Sequence, residues 1–179
     1  MTATCRDVET YTFQSNEKYF VDASVWLAVY GPTVPRDRRA RIYSDALKHL
    51  RASNAAIFID VIVMAELVNR WSRFEYGQMP EPRPTFKTYR ASPAFAAVAR
   101  DAATQMRNIL KYVKRTGTPF ANVDMDIVLT RFASGVDDIN DQLIAEKCRL
   151  DGLVLVSDDG DMARYDLELV TGNGRLLGK

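Results

Sequence analysis

Four carboxylates spread along the chain stand beside sequence that belongs in a core. Asp22 closes the apolar run in YFVDASVWL, and Glu66 lies in FIDVIVMAELVNRW. Asp141 sits in DDINDQLIAEKC, and Asp159 follows the run LVLVS in LVLVSDDGDM. Burying an acid is costly unless something positive compensates it. Four acids brought together repel one another and cannot all remain ionised near neutral pH without a cation. Mg2+ and Mn2+ are hard ions that take oxygen ligands. Held by such a group, they activate water and stabilise a phosphoryl centre under attack, with one ion or with two.

Other chemistries lack their parts. His49 is the sole histidine and lies on an amphipathic stretch remote from the acids, so a metal-free ribonuclease working through a histidine acid–base pair is disfavoured. Cys5 and Cys148 are the only cysteines and have no zinc-ligand spacing. There is no glycine-rich phosphate loop. The DDGD stretch resembles the start of a calcium loop, but Leu169 stands at the twelfth position from Asp158, where a bidentate glutamate belongs. Each acid also has a plainer reading. Asp22 or Ser24 can cap a helix, and Glu66 can sit on a helix surface. Asp137, Asp138 and Asp141 can share one helix face. Asp158, Asp159 and Asp161 can be turn residues around Gly160.

The elements that must position these acids are legible in the hydrophobic pattern. KYFVDA reads as a strand and SVWLAVYG as the helix after it, broken at Gly31-Pro32. Ile42, Tyr43, Ala46, Leu47 and Leu50 make RDRRARIYSDALKHLRAS an amphipathic helix. A second strand lies in NAAIFIDVIV, followed by the helix MAELVNRWSRFEYG. QMPEPRPTFKTYRASP holds four of the seven prolines and is expected to be a loop. AFAAVARDAATQMRNILKYVKR is expected to be one long helix stopping before Gly117. TPFANVDM is a candidate third strand, DIVLTRFAS a short helix, and DDINDQLIAEKCRLDG a longer one. LVLVS has the unbroken apolar character of a strand buried on both faces, and LELV and RLLG are candidates for a last strand. Strands alternating with helices imply an α/β fold with a mostly parallel sheet. Ligands of such sheets bind beyond the carboxyl ends of the strands, where Asp22 and Asp159 fall. Glu66 and Asp141, early in their helices, can reach the same edge.

With 179 residues the chain suits one domain with an elaboration and can bury a core without disulfides. The isolated cysteines, a polar start without a signal-peptide pattern, and no apolar run of bilayer length lead to an expectation of a cytoplasmic protein. The net charge of +1 hides a polarised chain. Residues 70–119 carry ten basic and three acidic side chains, whereas residues 120–170 carry four and twelve. The first suits a polyanion and the second suits metal ions, unless both are simply solvated faces. Arg70, Arg73, Lys87, Arg90, Lys111, Lys114 and Arg115 are the candidates for RNA contact, with Arg107 on the same helix as Lys111. The interleaved Trp71, Phe74, Tyr76, Phe86 and Tyr89 can stack bases. They can equally serve structure or an oligomer contact, which is the expectation for them.

Taken in order, YFVDASVWLAVY, VIVMAELVNR, DDINDQLIAEKCRLDGLVLVSDDGDM and LELV resemble the PIN domain, most closely its toxin-like branch (VapC-type). The resemblance covers roughly residues 18–76 and 120–172. It implies a three-layer α/β/α fold around a mostly parallel sheet of about four or five strands. It divides the chain into an N-terminal extension (1–17), one PIN-like domain (18–172) and a tail (173–179), with residues 77–118 forming an inserted proline-rich loop and basic helix. It further implies Mg2+- or Mn2+-dependent cleavage of single-stranded RNA. Asp22, Glu66, Asp141 and Asp159 match the acidic quartet in chain order, with Asp161 as a further metal acid. Ser24, Asp138, Ser157 and Asp158 stand in supporting places. Val63 stands where a serine is common. A toxin role would bring an antitoxin protein as partner, and a homodimer is a further expectation. The alternatives are a non-catalytic PIN-like RNA-binding or assembly module, and a metal-dependent phosphohydrolase of small substrates.

Overall fold

The computed structural model describes residues 2–32, 37–118 and 120–178. Arg36, Pro119 and Lys179, each in a segment read above, lie outside them. The described residues form six strands, all parallel, in the spatial order β1-β6-β5-β2-β3-β4. At the centre are β2 (Lys18–Val21) and β5 (Val154–Val156), paired Tyr19 to Val154 and Val21 to Val156. Both are apolar because helices cover both faces. β3 (Ala56–Ile59) and β4 (Lys114–Arg115) extend one side, and β6 (Glu168–Thr171) and β1 (Thr4–Asp7) the other.

The chain runs outward from β2 through α1 (Ala23–Tyr30) and α2 (Arg38–Ala52) to β3. It continues through α3 (Val61–Gly77), α4 (Phe86–Arg90) and α5 (Pro93–Leu110) to β4. It then crosses back through α6 (Met125–Ala133) and α7 (Ile139–Asp151) to β5. Contacts join α1 through α5 into one group and α6 with α7 into another. Right-handed crossovers running in opposite directions place these groups on opposite faces, giving the expected α/β/α layers. The direction of travel reverses between β2 and β5, which makes that gap the switch point where a ligand site belongs.

Local chemistry accounts for the elements around that gap. Asp22 N–H donates to Val156 O at 3.0 Å, the last rung between β2 and β5, and the Asp22 side chain then caps α1. Trp26, fully buried, folds α1 back onto its strand by donating Nε1–H to Val21 O at 2.9 Å. At Gly31 the chain turns so tightly that an added Cβ would lie 2.5 Å from Leu27 O, so only glycine fits. Helix α7 starts at the Asp138 cap and ends at Gly152, whose φ of 62° is the left-handed geometry that favours glycine.

Several boundaries differ from the sequence reading. Residues 4–7 of the extension form an edge strand, and Val8 and Phe13 are buried behind it, so this segment joins the sheet and core. The sheet therefore has six strands where four or five were expected. The long helix ends at Leu110, and Lys114–Arg115 leave it to form β4, because Lys111 already caps it. Residues 120–122 are a 3-10 turn where a strand was expected, and no strand covers RLLG among the described residues. The proline-rich segment contains α4, started by the Thr85 cap. Cys148 is buried, Cys5 is half-buried and both are free thiols, and His49 is exposed on α2. Among the described residues no helix is long and apolar enough to cross a membrane.

Candidate active site

The reversal between β2 and β5 brings Asp22 and Ser157 side by side at the carboxyl edge of the sheet. Both are buried, Asp22 to 3% exposure and Ser157 fully. Asp22 Oδ2 accepts from Ser157 Oγ at 2.9 Å, from Ser24 Oγ at 2.6 Å and from Ser24 N at 3.2 Å. The two hydroxyls lie 3.2 Å apart. Ser24 Oγ in turn accepts from Asp158 N, and Ser157 Oγ from Asp159 N, each at 3.0 Å. The serines therefore tie the β2 end to the loop after β5 and orient Asp22. Among the described residues every side-chain hydrogen bond of Asp22 falls on Oδ2, and Oδ1 stays outside this network.

The other three acids close on this point. Asp159 caps the 3-10 turn Gly160–Arg164, its Oδ1 accepting from Asp161 N at 3.0 Å. Glu66, half-buried on α3, pairs with Arg70 at 3.0 Å, one helical turn on. Burial raises the Glu66 carboxyl pKa, the charge of Asp22 adds to that, Arg70 opposes it, and Asp159 raises it further. Asp141, in the first turn of α7, is pushed up to about 7, first by burial and then by Asp159, Asp138, Asp22 and Glu66. Asp141 thus feels the other three members of the quartet together. The donor set is all oxygen, which suits a hard divalent cation. The acids converge loosely: among the described residues no three are drawn to metal-ligating distance of one point.

The supporting residues divide. Ser24 and Ser157 are built into the site. Asp158 turns toward α2, where Oδ1 accepts from the Tyr43 hydroxyl at 2.8 Å and Oδ2 lies 3.7 Å from Arg39. Burial raises its pKa, while Tyr43 and Arg39 lower it. Asp138 is the α7 cap, accepting from Asn140 N at 2.7 Å, and acts on Asp141 through its charge. Asp161 is exposed and pairs with Arg164 at 2.9 Å.

Of the seven basic candidates, Arg70 stands at the site. Arg73 lies over the Phe86 ring at 4.8 Å and Arg90 over Phe95 at 5.5 Å. Lys111 donates to Asn108 at 2.9 Å, and Lys114 faces the Phe58 ring. Lys87 and Arg115 are exposed on α4 and β4. Tyr76, Phe86, Tyr89 and Phe95 pack on one another and hold the insertion together, while Trp71 is buried.

Two features of the site lay outside the sequence reading. Tyr43, one residue of the α2 stripe, reaches across to bond Asp158 and accepts from Gly172 N at 2.8 Å, bracing the loop that carries Asp159. Asp60 is a further buried acid at the same sheet edge, but it is committed to capping α3 at Val63 N and to the Thr118 hydroxyl at 2.9 Å. The Tyr43–Asp158 and Asp60–Thr118 contacts join residues 115 and 58 apart, so no local signal marks them.

Comparison with known proteins follows the same lines. The sequence signature of the PIN domain matches residues 19–168. PAE2754 from Pyrobaculum aerophilum is similar in structure at a TM-score of 0.50 with 20% identity, over 90% of this chain and 96% of that one. VapBC2 from Rickettsia felis, solved bound to a DNA fragment from their promoter, is similar at 0.56 with 16% identity, over 86% and 98%. At such identities the likeness is one of fold. No curated protein sequence matches the chain.

Proposed function

The chain belongs to the PIN domain family, and on that premise we propose that it is a divalent-metal-dependent endoribonuclease hydrolysing phosphodiester bonds of single-stranded RNA. The observation that supports this most strongly is the set of acids gathered where the sheet reverses: Asp22 at the end of β2, Asp159 in the loop after β5, and Glu66 and Asp141 early in α3 and α7, near enough that the other three all raise the Asp141 carboxyl pKa. Such a group of acids suits a cation.

Asp22, Glu66, Asp141 and Asp159 would hold Mg2+ or Mn2+, directly or through water, with Asp161 beside them. When bound, such an ion offsets charge on the phosphodiester and eases deprotonation of the attacking water. Ser24 and Ser157 fix the Asp22 carboxylate by occupying Oδ2. Arg70 balances Glu66 and places a guanidinium at the mouth of the site, where it can take an RNA phosphate. Lys111, Lys114 and Arg115 supply further positive charge along the chain, suited to backbone contacts that orient RNA without reading sequence.

A toxin role with an antitoxin partner fits the likeness to VapBC2 and a feature of α6. Leu129 and Phe132, three residues apart on one face of α6, are each about half exposed, an apolar surface suited to a protein partner or to a second copy of the chain. Action in the cytoplasm is part of the same proposal.

The test is cleavage of a labelled single-stranded RNA. EDTA abolishes it, Mn2+ restores it, and joint Asp22→Asn and Asp141→Asn substitution removes it. Cleavage indifferent to both EDTA and the double substitution refutes the proposal. RNA binding that survives the double substitution, with no turnover at any Mn2+ concentration, identifies a binding module instead.

A further inference from the structure

On α3, the residues Glu66, Arg70 and Phe74 follow one another at intervals of four. They lie on one helix face, one turn apart. Glu66 belongs to the quartet and Arg70 is paired to it. Phe74 is 38% exposed, unlike Trp71, which is buried. It also differs from Tyr76, Phe86 and Tyr89, whose rings pack against one another.

What Phe74 faces is a pocket of about 380 Å3 between α3, α1 and the loop after β5. Its volume falls within the roughly 300–1,000 Å3 of small-ligand sites. Leu27 and Ala28 of α1 line it together with Phe74, and so do Ser24 and Asp159, the latter a member of the quartet. Arg70 and Arg39 line it as well, together with the carboxylates of Asp37 and Asp158. Arg39 enters from α2, where Asp37 at 3.2 Å and Asp158 at 3.7 Å hold its guanidinium.

The chemistry of this lining is selective. An aliphatic ligand would satisfy Phe74, Leu27 and Ala28 but leave unused the Arg70 nitrogens that Glu66 does not take. A bare phosphate would satisfy Arg70 but leave the apolar surfaces wet. A planar ring joined to a phosphate satisfies both: the ring lies against Phe74, and the phosphate meets Arg70. A pocket of this volume has room for one base splayed from its neighbours, the form in which single-stranded RNA presents its bases.

We propose that the pocket lined by Phe74, Leu27 and Ala28 is a subsite for one unpaired nucleotide flanking the scissile phosphate, with Phe74 stacking the base and Arg70 holding its phosphate. This rests on the nuclease reading for its place in catalysis. The subsite favours single strands and holds the substrate equally in the ground state and at the transition state. Phe74 is accordingly a substrate-binding residue.

Two measurements on the full chain test it, using Phe74→Leu, which keeps apolar packing but removes the ring face, and Phe74→Trp, which keeps the ring. The first is steady-state cleavage of a single-stranded RNA in Mn2+. Phe74→Leu raises KM about tenfold or more, as expected from stacking energies, with kcat within about twofold of wild type by the logic of uniform binding. Phe74→Trp restores KM. The second is calorimetric binding of adenosine 5′-monophosphate and ribose 5-phosphate to metal-free protein. The nucleotide binds more tightly than the sugar phosphate, and Phe74→Leu removes that difference. An unchanged KM in Phe74→Leu, with RNA cleaved normally, overturns the subsite and leaves the nuclease reading standing. A wild-type protein that cleaves no RNA, yet prefers the nucleotide in a Phe74-dependent way, overturns the nuclease reading and supports the pocket. Equal binding of both ligands by wild type overturns the pocket whatever the cleavage result.

Discussion

Replacing Asp141 by asparagine should make the metal-free protein more stable at alkaline pH, although it removes a residue of the proposed catalytic group. Asp141 is raised from 3.8 to about 7 in the fold, chiefly by burial and then by the surrounding acids. Between those values the folded chain keeps a proton that the unfolded chain has released. The folded form is therefore favoured most below the unfolded value, and stability falls as pH rises until the folded group has also ionised. At 1.36 kcal/mol per pH unit that difference has a ceiling near ~4 kcal/mol. Asp141 is only partly buried, so solvent screening reduces the figure to about 1–2 kcal/mol. Asparagine has the shape of the neutral acid and carries no charge to repel. In EDTA at pH 8, Asp141→Asn should raise the melting temperature by roughly 2–8 °C. The advantage should shrink at pH 5, where the folded wild type is still protonated. Saturating Mn2+ should reverse the order, since ligand at a hundred times its Kd stabilises by about 2.7 kcal/mol and the substituted site holds the ion less well. Melting followed by circular dichroism at both pH values, with and without Mn2+, measures all of this. An asparagine variant no more stable than wild type at pH 8, or equally advantaged at pH 5, would refute the reasoning.

Three further substitutions probe the frame around the site. Lys147 is fully buried, and its ammonium donates to Gly117 O and Asp151 Oδ2 at 2.8 Å and to the Thr116 hydroxyl at 3.2 Å. Lys147→Met should cost about 2–4 kcal/mol in urea unfolding, because it orphans the end of β4, and a cost below about 0.5 kcal/mol would contradict that. Ser157→Ala removes both the donor to Asp22 and the acceptor for Asp159 N. It should cost about 1–2 kcal/mol by the same assay and also slow RNA cleavage, so unchanged cleavage would mean that Asp22 needs no orienting partner. Gly152→Ala forces a side chain into φ 62° and should cost about 1 kcal/mol, read as a lower melting temperature with cleavage intact.

The parts of the fold that the sequence disclosed are those with a strong local pattern. LVLV, apolar at every position, could only be a strand covered on both faces. The α2 stripe and the Asp138-to-Gly152 helix carry their period and caps openly. Edges were harder. Thr4–Asp7 is half-exposed and mostly polar, as an edge strand is, so nothing distinguishes it from a tail until Leu169 and Val170 are seen beside it. Lys114–Arg115 is too short to show any period, and it follows a helix-forming run that hides the boundary. The same division runs through the site. The four acids were legible because each interrupts or follows an apolar run. The Ser24–Ser157 contact joins residues 133 apart, and Tyr43 reaches Asp158 across 115. Phe74 looked like its aromatic neighbours, and only the packing of Tyr76, Phe86 and Tyr89 around one another singles it out.

The central claim is that Asp22, Glu66, Asp141 and Asp159 are a cation site. Crystals soaked in Mn2+ and measured at the manganese absorption edge test it most directly. The account predicts anomalous density among these four carboxylates, lost in Asp22→Asn. Saturating Mn2+ with no density at the quartet, in protein that still cleaves RNA, would contradict it.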